Sequence, residues 1–291
     1  MEKISWYPGH IKTAREKIKK VLPVIDIIFE VVDARVPVSS NILFDNEASL
    51  FKNKKRFLLL NKCDLVNVKE LKYWQDYFRE LGEYEDVILT CSNGRNSGKT
   101  KKEIFKLLEY YKKEKNDKNR YRKNSSLRVM IAGFPNVGKS SALNILSTSK
   151  HVRVGNKPGV TRGTQWIKLK EGIELLDTPG VIFPDKIGRG RGMKLLFCKL
   201  IPMKAEKCDA EMLLAECFPY LLEKYSDVKA QLKEKCGFDP SANDFFHQYA
   251  KKCGRLINGE EDIHWATSSV LNLFFGGKIK GYILDEIEEE N

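Results

Sequence analysis

The chain has 291 residues, 42% of them hydrophobic, and 51 Lys and Arg against 39 Asp and Glu give a net charge of +12. The apolar content excludes global disorder, the length suits about two domains of about 100–200 residues each, and the charge favours a polyanionic partner. Seven cysteines with no C-x-x-C spacing, and four scattered histidines, speak against a structural zinc site and fit a reducing compartment.

Residues 1–20 carry no apolar h-region, so no secretory signal is expected. The apolar stretch 24–34 (VIDIIFEVVDA) predicts a buried strand; Asp26 and Glu30 interrupt it, and it is too short to span a bilayer. Residues 56–60 (RFLLL) predict a second strand. Lys69 to Leu81 has helical spacing at Leu71, Trp74, Tyr77, Phe78 and Leu81, with Gly82 as a stop. A third strand is expected at Val87–Leu89, and an amphipathic helix over Lys101–Lys115. Residues 114–126 are polar and charged and predict a linker.

A strand is expected over Val129–Ala132, a helix from Lys139, and two further strands at Thr164–Leu169 and Ile173–Leu176. Strands alternating with helices imply an α/β domain with a largely parallel sheet. Strand signals fade after about residue 190. Helices are expected over Ala210–Lys224, Val228–Lys235, Ser241–Cys253 and Asp262–Phe275, with Ser241 and Asp244 resembling a capping box and Gly276-Gly277 ending the last helix. The acidic tail Asp285–Glu290 predicts a solvated end. Two domains follow: 1–190, and an all-helical 195–291. The chain reads as a soluble cytoplasmic protein.

Residues 133–140 (GFPNVGKS) fit G-x-x-x-x-G-K-[ST] between an apolar strand and a helix, the setting in which backbone N–H groups and a helix N-terminus wrap a phosphate. Gly133, Pro135, Asn136, Val137, Gly138, Lys139, Ser140 and Ser141 are therefore expected around a nucleotide. Lys139 would reach its β- and γ-phosphates, and Ser140 would ligate Mg²⁺. Gly94–Thr100 imitates this loop but is one residue short between its glycines, and reads as a basic loop and helix start. Asp177-Thr178-Pro179-Gly180 ends a strand, where Asp177 can hold Mg²⁺ through water and Gly180 can sense the γ-phosphate. Thr161 is the candidate switch ligand of Mg²⁺, with Thr164 as rival.

Asn61-Lys62-Cys63-Asp64 reads as the guanine-selecting N-K-x-D box. Asp64 can accept from guanine N1–H and N2–H₂, a pairing adenine lacks, for roughly 10⁴-fold discrimination or more. Asn61 and Lys62 would brace the loop and lie along the base, and Cys91-Ser92 would contact guanine O6. The ligands implied are GTP and GDP with Mg²⁺. Val181 follows Gly180, where many GTPases place a water-orienting Gln, so hydrolysis is slow or another group substitutes. His10, in the opening W-Y-P-G-H, is a candidate.

The base box precedes the phosphate loop, the reverse of an ordinary GTPase. This order, W-Y-P-G-H, the segment Asp33-Ala34-Arg35-x-Pro37-x-Ser39-x-x-Asn41 and the helical C-terminus resemble the YlqF/RbgA family of circularly permuted ribosome-assembly GTPases, over nearly the whole chain. The resemblance implies a circularly permuted Ras-like P-loop domain followed by an all-helical RNA-binding domain. It implies GTP hydrolysis coupled to late maturation of the large ribosomal subunit, with rRNA rather than DNA or membrane as partner, in a monomer. His10 matches the family histidine implicated in hydrolysis, and Asn136 matches an asparagine that goes with potassium-stimulated turnover. Phe275 departs from the family, standing where relatives often carry Arg. The basic segment 186–207, with Lys12, Arg15, Lys17, Lys19 and Lys20, offers contacts to rRNA phosphates. The alternative is an RNA-placed regulator that uses GTP occupancy alone as a timer.

Overall fold

The computed structural model of the chain describes residues 3–5, 16, 18–42, 51, 53–91, 97–118, 125–146, 165–177, 186–202 and 208–287. In chain order its strands are β1 (Lys3–Ser5), β2 (Ile27–Asp33), β3 (Lys55–Asn61), β4 (Asp86–Leu89), β5 (Leu127–Gly133), β6 (Gln165–Lys170), β7 (Ile173–Asp177), β8 (Lys186–Gly188), β9 (Leu256–Ile257) and β10 (Glu260–Glu261). Its helices are α1 (Val68–Glu80), α2 (Ser97–Lys118), α3 (Lys139–Leu146), α4 (Arg189–Phe197), α5 (Ala210–Lys224), α6 (Ser226–Cys236), α7 (Phe245–Lys252) and α8 (Ile263–Phe275).

Six strands form one sheet in the order β4-β3-β2-β5-β7-β6, parallel except for β6. Counted from β5, the phosphate-loop strand, that order becomes 2-3-1-4-5-6, with the chain's own start falling between the third and fourth strands. The fold is therefore a Ras-type sheet whose chain begins in the middle. β2 is buried along its whole length, as a central parallel strand covered on both faces must be. Alternation in β3 sends Phe57 and Leu59 to one core, and Leu58 and Leu60 to a second core shared with Leu71, Trp74 and Phe78 of α1.

The elements expected from sequence are present with shifted ends. α2 runs to Lys118, into the segment read as a linker, because Lys115 Nζ is held by Asp26 Oδ2 (2.7 Å) and the Ser126 carbonyl (2.8 Å). α7 begins only at Phe245. Asp244 makes no side-chain cap there, and the Ser241 N–H donates to Asp239 Oδ1 (2.9 Å), so the expected capping box does not form. Pairs of short strands were not expected: β1 with β8, and the hairpin β9–β10.

The acidic tail is not a solvated end where it is described. After α8 the chain reverses at Gly277 (φ +63°) and returns to the sheet. Gly281 N–H donates to the Leu65 carbonyl, and Leu284 N–H to the Arg35 carbonyl, both at 2.8 Å. Tyr282, Ile283, Leu284 and Asp285 are buried. Three apolar side chains and a fully partnered carboxylate outweigh the local acidity.

Candidate nucleotide site

The carboxyl ends of β5, β2 and β3 converge at the centre of the sheet, where open parallel sheets bind ligands. The phosphate loop leaves β5 at Gly133, where φ is +146° and a Cβ would lie 2.3 Å from the Val31 carbonyl oxygen. Only glycine lets this turn press against β2. The loop then enters α3 at Lys139. Lys139 is 8% exposed, and its Nζ lies within the loop, donating to the carbonyls of Gly133 (2.9 Å) and Phe134 (2.6 Å). Ser140, one residue on, is half-buried in the first turn of α3. Asp177 ends β7 in register with Ile131, two residues before Gly133. A glycine-lined turn at a helix N-terminus suits a phosphate chain. The Ser140 hydroxyl and a carboxylate position on the adjacent strand suit Mg²⁺.

The base box lies against the same loop. Fully buried Asn61 donates through Nδ2 to the Val137 carbonyl (2.7 Å), and its Oδ1 accepts from Thr90 Oγ1 (3.1 Å). Thr90 thus fixes the amide orientation of Asn61 and seats Cys91, the next residue, beside the box. Cys63 N–H donates to the Thr90 carbonyl (3.2 Å). Burial and the neighbouring Cys91 push the Cys63 thiol up to about 12, so it stays protonated at neutral pH. Asp64 sits in a short 3₁₀ turn, Cys63–Leu65.

Lys62 is left-handed (φ 61°), and its Nζ donates to the Asn136 carbonyl (2.9 Å) and to Asp33 Oδ2 (2.7 Å). Asn136 is left-handed too (φ 56°), and its Nδ2 donates to the carbonyls of Lys199 (3.2 Å) and Leu200 (3.3 Å). Lys199 is again left-handed (φ 58°). Among the described residues only four non-glycines have positive φ, and three of them form this chain of contacts. Strained backbone concentrates where the surroundings over-determine it, as at ligand sites. Asn136 therefore bridges the loop to the turn after α4.

Asp33 and Arg35 help build the site although the sequence assigns them no chemistry there. Asp33 is fully buried, with Arg35 Nε on Oδ1 (3.0 Å) and Arg35 Nη2 on Oδ2 (2.7 Å). Burial opposes its charge, but Arg35 and Lys62 outweigh burial and hold the carboxyl far below the usual carboxylate range. Arg191, in the basic segment expected to face RNA, turns inward instead. Its Nε donates to the Ser39 carbonyl (2.7 Å), its Nη2 to the Asn41 carbonyl (3.2 Å), and its guanidinium lies 5.4 Å from the Phe134 ring centre. Lys194 likewise reaches Asp285 (3.3 Å). The signal for these two roles was the segment 33–41: its Ser39 and Asn41 carbonyls accept from Arg191, and its Val38 and Ser39 N–H groups donate to the Asp285 carboxylate that Lys194 reaches.

His10, Ser92, Thr161, Thr164, Gly180 and Val181 lie outside the described residues, as do Lys12, Arg15 and Lys17. Thus the structure brings together Asn61, Lys62, Val137, Asn136 and Lys139, and places Cys91, Ser140 and the backbone of Asp177 around them. No helix of the described residues is long and apolar enough to cross a membrane.

A family model described as "50S ribosome-binding GTPase" matches residues 128–237. It starts in β5 and leaves out Asn61–Asp64, as a linear match must when the base box precedes the phosphate loop. Ribosome biogenesis GTPase A of Priestia megaterium is 40% identical over 196 residues, covering 66% of this chain and 65% of that protein. Its counterpart in Bacillus cereus strain ATCC 14579 is 33% identical over 297 aligned residues, covering 99% of this chain and 95% of that one. Among solved structures, GNP-bound YlqF from T. maritima is similar with a TM-score of 0.63 and 25% identity, covering 94% of this chain and 97% of that one.

Proposed function

The chain belongs to the ribosome biogenesis GTPase A family, and from that premise we propose that it couples GTP hydrolysis to late assembly of the large ribosomal subunit through contacts with rRNA. That it is a GTPase follows from the family and the GTPase domain. The observation that carries the site reading is the joint between base box and phosphate loop, Asn61 Nδ2 to the Val137 carbonyl at 2.7 Å. Two motifs 72 residues apart, counted from Asn61 to Gly133, are locked into one surface.

In this reading Asp64 selects guanine, with Cys91 and Ser92 at O6, and Lys62 lies along the base. The loop from Gly133 to Ser141 holds the phosphates through backbone N–H groups, and Lys139 leaves its loop carbonyls to reach the β- and γ-phosphates. Ser140, Thr161 and Asp177 would hold Mg²⁺, which offsets charge on the phosphate oxygens when bound. Asn136 would offer Oδ1 to potassium. His10 would position or deprotonate the attacking water in place of the Gln that Val181 replaces.

The β1–β8 ladder supports the assignment of His10. It pairs Ser5 with Lys186. His10 is five residues beyond Ser5 and Gly180 six residues before Lys186, each within about 20 Å at about 3.3–3.6 Å per residue. The two segments therefore leave the same rung. The net charge of +12 supports a polyanionic partner. Among the described residues, the exposed members of the basic set are Lys19, Lys20, Arg189 and Lys199.

The test is GTP turnover with and without purified large subunits, in potassium and in sodium salts. His10→Ala is expected to keep GTP affinity within about twofold and to lower subunit-stimulated turnover by about 10²-fold or more, the range of a positioned acid–base group. Equal turnover in wild type and variant would remove His10 from the mechanism. Loss of preference for guanine over adenine nucleotides would remove the whole reading. Normal release from subunits by the hydrolysis-dead variant would favour GTP occupancy alone as the timer.

A further inference from the structure

We propose that Asp33 is a positioning residue for the guanine-nucleotide site and the joint that ties this site to the returning C-terminal segment. The proposal rests on reading Asn61–Asp64 as the base box. β2 ends at Asp33, directly beside Asn61 at the end of β3. Oδ2 of Asp33 accepts from both Lys62 Nζ and Arg35 Nη2 at 2.7 Å, while Oδ1 accepts from Arg35 Nε and the Arg35 N–H at 3.0 Å.

The two cations lead in opposite directions. Lys62 continues to the Asn136 carbonyl in the phosphate loop (2.9 Å). Arg35 continues from Nη2 to the Cys198 carbonyl after α4 (3.1 Å) and from Nη1 to the Tyr282 hydroxyl (3.5 Å), and its own carbonyl accepts from Leu284 N–H (2.8 Å). Asp33 and Arg35 are 0% and 4% exposed. Buried charges of this kind cannot lose one partner without a large cost, so a shift of Lys62 on nucleotide binding changes what Asp33 offers to Arg35. Coupling between two sites is reciprocal: if nucleotide tightens the C-terminal segment, the segment tightens nucleotide.

The sheet contains its own control. Glu30, three residues earlier on β2, pairs with Arg56 at 2.8 Å with side chains 2% and 4% exposed, and its other hydrogen-bond partners, the Ile42 N–H and the Tyr84 hydroxyl, belong to neither the base box nor the C-terminal segment. A merely structural role for Asp33 predicts that the two buried pairs behave alike.

The test combines titration with fluorescent GDP and hydrogen exchange of peptides spanning residues 280–287. Asp33→Asn is expected to weaken GDP binding about tenfold, within the range typical of coupled sites. Lys62→Ala is expected to do the same, and the double variant no more than either alone. Glu30→Gln is expected to lower Tm and leave GDP affinity unchanged. In the wild type, saturating GDP is expected to slow exchange at 280–287; in Asp33→Asn, also saturated, that response is expected to vanish. Additive losses in the double variant, or the same exchange response in Asp33→Asn, would overturn the proposal. The wild-type exchange experiment stands even if Asp33→Asn does not fold, since exchange at 280–287 indifferent to GDP overturns it too. A wild type that binds no GDP defeats the base-box reading and the proposal together, whereas tight GDP binding with additive losses defeats the proposal alone.

Discussion

Asp285 shows how far a single carboxylate can depart from what its neighbours in sequence suggest. It sits in an acidic run, yet its Oδ2 accepts from the backbone N–H groups of Val38 and Ser39 at 2.8 Å, and its Oδ1 from Ser39 Oγ at 2.6 Å. It thereby caps the turn that follows the Asp33–Arg35 pair. Hydrogen bonds to charged groups contribute about 1.5–3 kcal/mol each at most, and they share one anion here, so Asp285→Ala is expected to cost about 3 kcal/mol. The neighbouring Glu286 is exposed, with Lys224 no closer than 4.0 Å, and Glu286→Ala is expected to stay within about 0.5 kcal/mol. Urea unfolding of the two variants checks this. Equal midpoints would mean that the tail carries no stability.

At the scale of elements, α4 is the instructive case. Its sequence, RGRGMKLLF, is basic and carries two glycines among its first four residues that weaken helix propensity, so it read as part of a basic segment facing rRNA and not as a helix. In the structure Gly192, Met193, Leu195, Leu196 and Phe197 are buried, and Arg191 and Lys194 point their charges at carbonyls and at Asp285. Arg191→Ala is therefore expected to lower stability by about 2 kcal/mol through the unpaired carbonyls of Ser39 and Asn41. It is also expected to leave the salt dependence of subunit binding unchanged, because Arg191 is not a phosphate contact. Arg189→Ala is expected to do the reverse. Binding isotherms at several salt concentrations, read beside unfolding curves, separate the two. Elements whose stability is local were legible from sequence: β2, β3 and β5 are runs of apolar residues, and α5 is announced by Asp209, which accepts from Met212 N–H (2.9 Å). Elements that exist through distant partners were not. β1 and β8 are three residues each and, among the described residues, pair with one another alone. The hairpin β9–β10 did carry an Asn258-Gly259 signal, with φ of 54° and 88°, but two-residue flanks hid it among helices. The same division holds at the site, where the boxes are legible because phosphate and base chemistry fix their spacing. Asp33, Arg35 and Thr90 are not, since their roles come from what the fold packs against them.

For the whole molecule, the question is whether the sheet and the C-terminal helices stand independently. Permutation opens the chain between the third and fourth strands of the sheet when counted from β5, and residues 282–285 return to the carboxyl end of the fourth, β2. Ile283 is fully buried, in one core with Val32, Ala34, Leu58 and Leu60 of the sheet segment and Leu71, Trp74 and Phe78 of α1. Tyr282, one residue earlier, lies on the other side, its ring 5.5 Å from Phe274 of α8 and 6.3 Å from Phe197 of α4. Adjacent side chains on an extended segment point to opposite faces, so this one stretch is shared by both halves. Tyr225 adds a second tie, its hydroxyl donating to the Ile283 carbonyl (2.9 Å) and accepting from the Ile283 N–H (3.1 Å). Truncating a buried isoleucine costs about 2–5 kcal/mol. Because Ile283 bridges the halves, Ile283→Ala is expected to lower the unfolding free energy of both by that amount in one shared transition. Hydrogen exchange should then show β2 and α8 losing protection in parallel. Loss confined to residues 263–287, with β2 keeping its wild-type protection, would show that the sheet stands without its C-terminal strap, and a nucleotide signal would then need another route to the helices.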